Sequence, residues 1–135
     1  MGLNYYDTFI EVAGDCPATK AEIPQPKGGK KTQAVLEYEM IAGHPYQYTE
    51  EDVSFETYAL RHEIPKEVWH AERKKYLAED HPCLRGSSLG KRYGWGIHND
   101  KDGKVALIPI ESAEYRRFAN DPKLQHTHAL RSHRL

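Results

Sequence analysis

The sequence predicts an α+β domain, with an antiparallel or mixed sheet and about four helices packed on it. Three observations carry this prediction: a β-branched and aromatic stretch over residues 4–13, helical patterns between residues 32 and 79, and a hairpin signal at Asp102 and Gly103. Strand and helix signals do not alternate along the chain as they would for a parallel doubly wound sheet. An antiparallel or mixed sheet is therefore favoured.

Length and composition favour a single folded domain over residues 1–135. The chain has 135 residues, of which 39% are hydrophobic and 29% are charged. A chain of this length and composition can bury one continuous hydrophobic core but is too short for two well-packed cores. The net charge of −1 gives no overall attraction to nucleic acid or to anionic lipid.

The expected location is the cytoplasm. No apolar run approaches the roughly 20 residues that cross a bilayer, so no membrane partner is expected. The first residues carry Asp7 and Glu11 in place of a charged-then-apolar secretion signal. Cys16 and Cys83 form no CxxC pair, which fits a reducing compartment.

The first half of the chain predicts a strand, a loop and a helix. Residues 4–13 are rich in strand-forming types, whereas residues 14–31 contain several prolines and glycines and predict a long loop. Thr32 then precedes apolar residues at helical spacing, and Gly43 and Pro45 supply a stop. A first helix is therefore expected between Thr32 and this stop.

Two further helices are predicted before residue 80. Residues 50–62 alternate as a strand would, but Thr49 and Asp52 have the spacing of a capping box, and we choose a helix for that reason. Pro65 suits the first turn of a third helix over residues 66–79, which is rich in helix-forming residues.

Residues 91–110 predict two strands joined at Asp102 and Gly103. We assign one side of the first strand to the core; it carries Tyr93, Trp95 and Ile97. The opposite side carries Arg92, Gly94, Gly96 and His98. Ser112 is expected to cap a short helix, and a last strand is expected after Pro122.

Several segments resemble a family of uncharacterised bacterial and fungal proteins, a domain of unknown function. The matching segments are NYYDTFIEVA, KGGKKT, PYQYTEEDVSFETYALR and KRYGWGIH, and the resemblance covers nearly the whole chain. It implies no activity, so it assigns no catalytic residue or cofactor. Nor does it assign a role to the positions that carry it, which include Asp7, Thr8, Glu11, Lys30, Arg92, Tyr93, Trp95 and His98.

The leading functional hypothesis is a small binding domain for an anionic or phosphorylated ligand. The segment PKGGKKT places two lysines at a helix start, where backbone N–H groups attract anions. Gly94 and Gly96 would leave room for a ligand between Arg92 and His98. The expected ligand-binding residues are Lys30, Lys31, Thr32, Arg85, Arg92 and His98.

Ordinary structural roles compete with this hypothesis. Thr32 would also serve simply as a helix cap with the lysines in solvent, and the glycine face would also suit close packing of a helix. An enzyme built on Cys83 or His98 is a further alternative, which requires a base within hydrogen-bond reach of the nucleophile. Cys83 would otherwise be a small buried residue.

The segment 123–135 suggests an interaction module as the last alternative. It is basic and rich in histidine, so it would attract nucleic acid or an acidic protein. The helices around Ile64 and Pro65 resemble a helix-turn-helix, but the second one mixes positive and negative residues, so DNA recognition by this element is disfavoured. Nucleic acid is therefore the less favoured partner. His126 and His128 share a strand face without a fuller ligand pattern, and we assign no metal site. The sequence determines neither a cofactor nor the oligomeric state.

Overall fold

The protein is described here by a computed structural model that covers residues 3–133. Within these residues the strands are β1 Thr8–Glu11, β2 Trp95–Asn99, β3 Val105–Pro109 and β4 Gln125–His128. The helices are α1 Gln33–Gly43, α2 Glu50–Arg61, α3 Trp69–Leu77, α4 Ser88–Lys91 and α5 Ala113–Ala119. Short 3₁₀ turns at Lys66–Val68 and Leu84–Gly86 precede α3 and α4.

The four strands form one mixed sheet in the order β3-β2-β1-β4. β2 pairs antiparallel with both β3 and β1, whereas β1 and β4 are parallel. The β2–β3 hairpin turns at Asp102 and Gly103, where Gly103 has a φ of 80° that suits glycine. The α+β class and the mixed sheet predicted from the sequence are confirmed.

Local capping signals account for three of the helices. Thr32, Thr49 and Ser112 each accept a hydrogen bond from a backbone N–H in the first turn of α1, α2 and α5. At α2 the capping box is complete, because Asp52 also accepts from the Thr49 N–H at 2.9 Å. The helix chosen for residues 50–62 is therefore confirmed over the alternating strand pattern.

One face of the sheet packs against α1 and α2. Ile10, Ile97 and Val105 of the sheet form a buried cluster with Ile41 of α1 and Val53 of α2. Leu84, in the segment that precedes α4, completes this cluster. We call this side of the sheet the α1/α2 face.

The other face packs against α5. Phe9 of β1 lies with its ring centroid 5.0 Å from that of Tyr115 and 5.6 Å from that of Phe118, both on α5. Ala106 and Ile108 of β3 complete this second cluster. Helices therefore cover both faces of the sheet, and we call this side the α5 face.

The two glycines of the predicted glycine face, Gly94 and Gly96, are covered by different parts of the protein. A Cβ atom added to Gly96 would lie 2.7 Å from the Tyr115 ring and 2.8 Å from the Phe9 ring. Gly94 has a φ of 82° and lies against Ala18. The space left by the missing side chains is therefore filled by the protein itself, as the close-packing alternative proposed.

Two predicted strands are shorter than expected. The strand predicted over residues 4–13 begins only at Thr8, because Asp7 has a φ of 46° that breaks the extended backbone. The strand predicted from residue 91 begins only at Trp95. Arg92 and Tyr93 instead follow α4, a short helix that the sequence reasoning did not anticipate.

The remaining segments have little regular structure. Residues 12–32 contain no helix or strand apart from an isolated bridge between Lys27 and Lys30, in agreement with the predicted loop. None of the helices within residues 3–133 combines the length and the apolar character needed to cross a bilayer. Arg134, part of the predicted basic segment, lies outside the described residues.

Candidate functional site

A cavity of about 320 Å³ lies between α1, α2 and the segment 82–88. Its volume is near the lower end of the range of roughly 300–1,000 Å³ that small-molecule sites occupy. The cavity includes the exposed residues Tyr58 and Arg61, which place its mouth at the end of α2. Glu37, Glu50 and Cys83 also line it.

Glu37, on α1, presents its carboxylate to this cavity. Only 7% of the surface of this residue is exposed to solvent. The Ser87 hydroxyl donates to Glu37 Oε1 at 2.6 Å, and the Gln33 amide donates to Glu37 Oε2 at 3.1 Å. Burial raises the pKa of Glu37, and these two hydrogen bonds partly oppose that effect. The carboxylate is thus held in one position at the cavity wall.

Glu50, the first residue of α2, is the second buried carboxylate and is 1% exposed. Its Oε1 accepts from the Leu84 N–H and its Oε2 from the Asn99 side-chain amide, both at 2.9 Å. Burial raises the pKa of Glu50 to about 7, with a smaller contribution from the negative charge of Glu37. The Glu50 carboxylate therefore connects α2 to β2 and to the segment before α4 by hydrogen bonds. Its pKa lies near neutral pH.

A hydrogen-bonded chain connects the mouth to the interior. Arg61 donates from Nη1 to Gln33 Oε1 at 3.2 Å. Gln33 in turn donates to Thr57 Oγ1 at 2.8 Å and to Glu37. The guanidinium lies close enough to Glu37 to favour its ionised form, so the cavity has a positive mouth and a negative interior.

Cys83 is a further residue of the cavity lining. Its sulfur lies 3.5 Å from the hydroxyl oxygen of Tyr5, a hydrogen bond in which either atom serves as donor. Burial, together with this neighbouring thiol, raises the pKa of Tyr5.

Comparison with known proteins places the whole chain in one family. A family model described as a family of unknown function, DUF6157, matches residues 1–135. The chain belongs to DUF6157. No curated protein and no solved structure matches it. A function for the cavity must therefore be inferred from the chemistry of the residues that line it.

The structure of this DUF6157 chain disperses the six residues predicted from the sequence to bind an anion. Lys31 forms an exposed ion pair with Glu39 at 2.9 Å, and Lys30 is also exposed. Thr32 accepts from the Val35 N–H as the cap of α1. These contacts match the alternative in which Thr32 caps the helix and the lysines lie in solvent.

Arg85, Arg92 and His98 lie elsewhere. Arg85 donates from Nε to the His128 carbonyl oxygen at 2.9 Å and so holds β4. Arg92 is exposed beyond the end of α4. His98 lies on the α5 face, where its ring stacks on the Phe118 ring with the two ring centroids 4.2 Å apart. The six residues therefore do not converge around the glycine face, and the composite site expected there does not form.

Cys83 and His98, the two residues considered for an enzyme, do not contact each other either. His98 Nδ1 lies 2.8 Å from the Tyr46 hydroxyl, and burial lowers the pKa of this histidine. Cys83 lies on the α1/α2 face, next to Leu84. The sheet separates the two residues, so a thiol at position 83 would need another base.

The basic segment from residue 123 contributes the edge strand β4. His126 Nε2 lies 2.6 Å from the Asp121 carbonyl oxygen, and His128 Nε2 lies 3.9 Å from Glu11 Oε2. The Asp15 carboxylate accepts from the Ser132 and His133 N–H groups. The described part of this segment is thus held to the domain, and its role as an interaction module stays a prediction.

Sequence reasoning missed Glu37, Glu50 and Arg61. One signal was present at Glu37, which lies three residues after Ala34 and four before Ile41 on the helical face that is buried. A charged residue at such a position is unusual unless it is paired or functional. Glu50 gave no comparable signal, because an acidic residue at a helix start is common for reasons of helix stability.

Proposed function

We propose that the domain binds a small organic molecule in the cavity between α1, α2 and the segment 82–88. The observation that carries this proposal is the buried Glu37 carboxylate at the wall of a cavity of about 320 Å³. Burying a carboxylate is unfavourable unless it is well paired, and apolar residues of similar volume often stabilise a fold better. A concave site with buried titratable groups is therefore a strong candidate for ligand binding.

This cavity differs from the anion site expected from the sequence. An anionic ligand would meet two carboxylates in the interior, and the guanidinium of Arg61 lies only at the mouth. We therefore keep the hypothesis of a small binding domain and move its site from the 30–32 loop and the 92–98 strand to this cavity.

Filling the cavity is expected to remove ligand binding. Ala34 is buried and lines the cavity, so Ala34→Leu would occupy space that the ligand needs. A chemically diverse panel of small polar compounds is screened by thermal shift, since a ligand at ~100 times its Kd adds about 2.7 kcal/mol to stability. Compounds that stabilise the wild type are expected to lose this effect in Ala34→Leu.

The matched control is Ala42→Leu, on the exposed side of the same helix. It is expected to retain every compound that stabilises the wild type. If Ala34→Leu does not fold by far-UV circular dichroism, Ser88→Leu fills the cavity from α4 instead. Compounds that bind the cavity-filled and control variants equally well would place their site elsewhere and overturn the proposal.

A second candidate function is catalysis with Cys83 as nucleophile, which the presence of this residue in the cavity lining favours. This candidate predicts that Cys83, in a Cys16→Ser background, reacts with iodoacetamide at neutral pH faster than glutathione does. It also predicts that a cavity ligand slows this reaction. If Cys83 is alkylated more slowly than glutathione, the thiol is not the nucleophile. The proposal that the cavity binds a ligand would be unaffected by that result.

We also keep the cytoplasm as the proposed location. Cys16 and Cys83 are both free thiols, which suits a reducing compartment. Fractionation of cells that express the full chain tests this location directly.

A further inference from the structure

The interior of the cavity is negative when its two carboxylates, Glu37 and Glu50, are ionised. Of the described residues that line it, the charged ones are Glu37 and Glu50 inside and Arg61 at the mouth. No lysine or histidine is among these lining residues. The electrostatic potential of the interior therefore favours a positive group, because charges attract strongly where little water screens them.

We propose that the ligand carries a protonated amine or guanidinium group, which donates hydrogen bonds to the Glu37 carboxylate. This inference rests on the proposed function, because it names the ligand class of the same cavity. The ammonium or guanidinium would neutralise a carboxylate that the fold leaves buried without a direct cationic partner.

Glu37 has acceptor capacity for such a ligand. Each of its oxygens receives one hydrogen bond within the protein, from Ser87 and from Gln33, whereas a carboxylate has about four acceptor positions. Two positions therefore remain for the ligand. Because Ser87 and Gln33 already fix the carboxylate, little conformational freedom is lost when the charge-assisted bonds form.

The apolar part of the ligand has surfaces to contact. Ala34 and Leu84 are buried residues of the cavity wall, and Tyr58 lines the mouth with 37% of its surface exposed. A short aliphatic stem would lie between these residues while its charged nitrogen reaches Glu37. The fit is to a compact amine, because a volume of about 320 Å³ is small.

Glu50 has a different role in the same recognition. Its two oxygens already accept from Leu84 and Asn99, and it is 1% exposed. It therefore contributes negative potential to the interior, whereas direct contact with the ligand falls to Glu37. Protonation of Glu50 would weaken this potential.

Binding of a cation is consequently coupled to proton release. Burial raises the pKa of Glu37 and raises that of Glu50 to about 7, and a cation binds the ionised forms. The affinity is therefore expected to rise from about pH 6 to pH 8. The other titratable groups that line the cavity are Tyr58 and Arg61 of α2, Tyr76 of α3 and Cys83 of the segment before α4.

Calorimetric titration of the full chain tests the inference with matched probes. Butylamine and the larger, doubly charged agmatine supply the cationic groups. Butanol and butyrate are neutral and anionic molecules of similar size to butylamine. At pH 8 both cationic probes are expected to bind at least about tenfold more tightly than butanol and butyrate. Their affinity is expected to fall as the pH is lowered to 6.

Two variants of α1 test whether binding depends on the cavity carboxylate of Glu37 or only on the overall charge of the protein. Glu37→Gln is expected to weaken the binding of both amines by about tenfold or more. Glu39→Gln removes the same charge from an exposed position that is paired with Lys31, and it is expected to change the affinity by less than about twofold. The wild-type comparison of the four probes decides the proposal if Glu37→Gln does not fold.

The outcomes distinguish the two proposals. If neutral or anionic compounds bind in a way that Ala34→Leu abolishes and the amines do not bind, the cavity is a ligand site and the cationic class is wrong. If the amines bind equally well to Glu37→Gln and Glu39→Gln, Glu37 is not their acceptor. If no compound binds at all, both proposals are wrong.

Discussion

Gly96→Ala is expected to lower the free energy of unfolding by about 1–3 kcal/mol, the usual result of overpacking. The added methyl carbon would lie 2.7 Å from Tyr115 and 2.8 Å from Phe9. Both rings are buried between β1 and α5, so neither moves aside freely. Urea unfolding followed by circular dichroism measures the change.

Gly43→Ala is the matched control for this substitution. No atom lies within 4 Å of a Cβ added at Gly43, the last residue of α1. The variant is expected to be as stable as the wild type or more stable by up to about 1 kcal/mol, because alanine restricts the unfolded chain. Equal stability of the Gly96 and Gly43 variants would show that α5 does not seal this part of the sheet.

Glu50→Gln is expected to gain stability relative to the wild type as the pH rises. Burial raises the pKa of Glu50 from its ordinary value of 4.5 to about 7 in the folded protein. The folded state therefore binds more protons than the unfolded state between these values, and the contribution of Glu50 to stability falls as the pH rises through that range. A neutral glutamine does not show this loss.

The difference in unfolding free energy between Glu50→Gln and the wild type is expected to grow by about 2 kcal/mol from about pH 5.5 to pH 8.5. Urea unfolding of both proteins across this range measures it. Glu39→Gln is the control, because its carboxylate is exposed and removing it avoids no burial penalty. A difference that does not vary with pH would contradict the neutralisation of Glu50 near pH 7.

Local sequence signals predicted most of the helices and the hairpin. The Thr49 and Asp52 side chains were sufficient to choose a helix where the apolar pattern was ambiguous, because both capping hydrogen bonds are made within four residues. Asp102 and Gly103 predicted the turn for the same reason. Interactions between residues that are only a few positions apart can be predicted from the sequence itself.

The candidate site was predictable only in small part. Cys83 was recognised as a candidate, but Glu37 is joined to Ser87 across 50 positions and Glu50 to Asn99 across 49. Such contacts depend on how α1 and α2 pack on the sheet. No spacing rule predicts them.

The sequence by itself thus determined the α+β class, the capped helices and the β2–β3 hairpin, because propensity and short-range hydrogen bonds specify them. Tertiary structure alone decided that β1 lies between β2 and β4, that α5 packs against Gly96 and that Glu37 and Glu50 share a cavity. These features depend on contacts between residues distant in the chain. Their free energies are set by burial and packing, which local patterns do not encode.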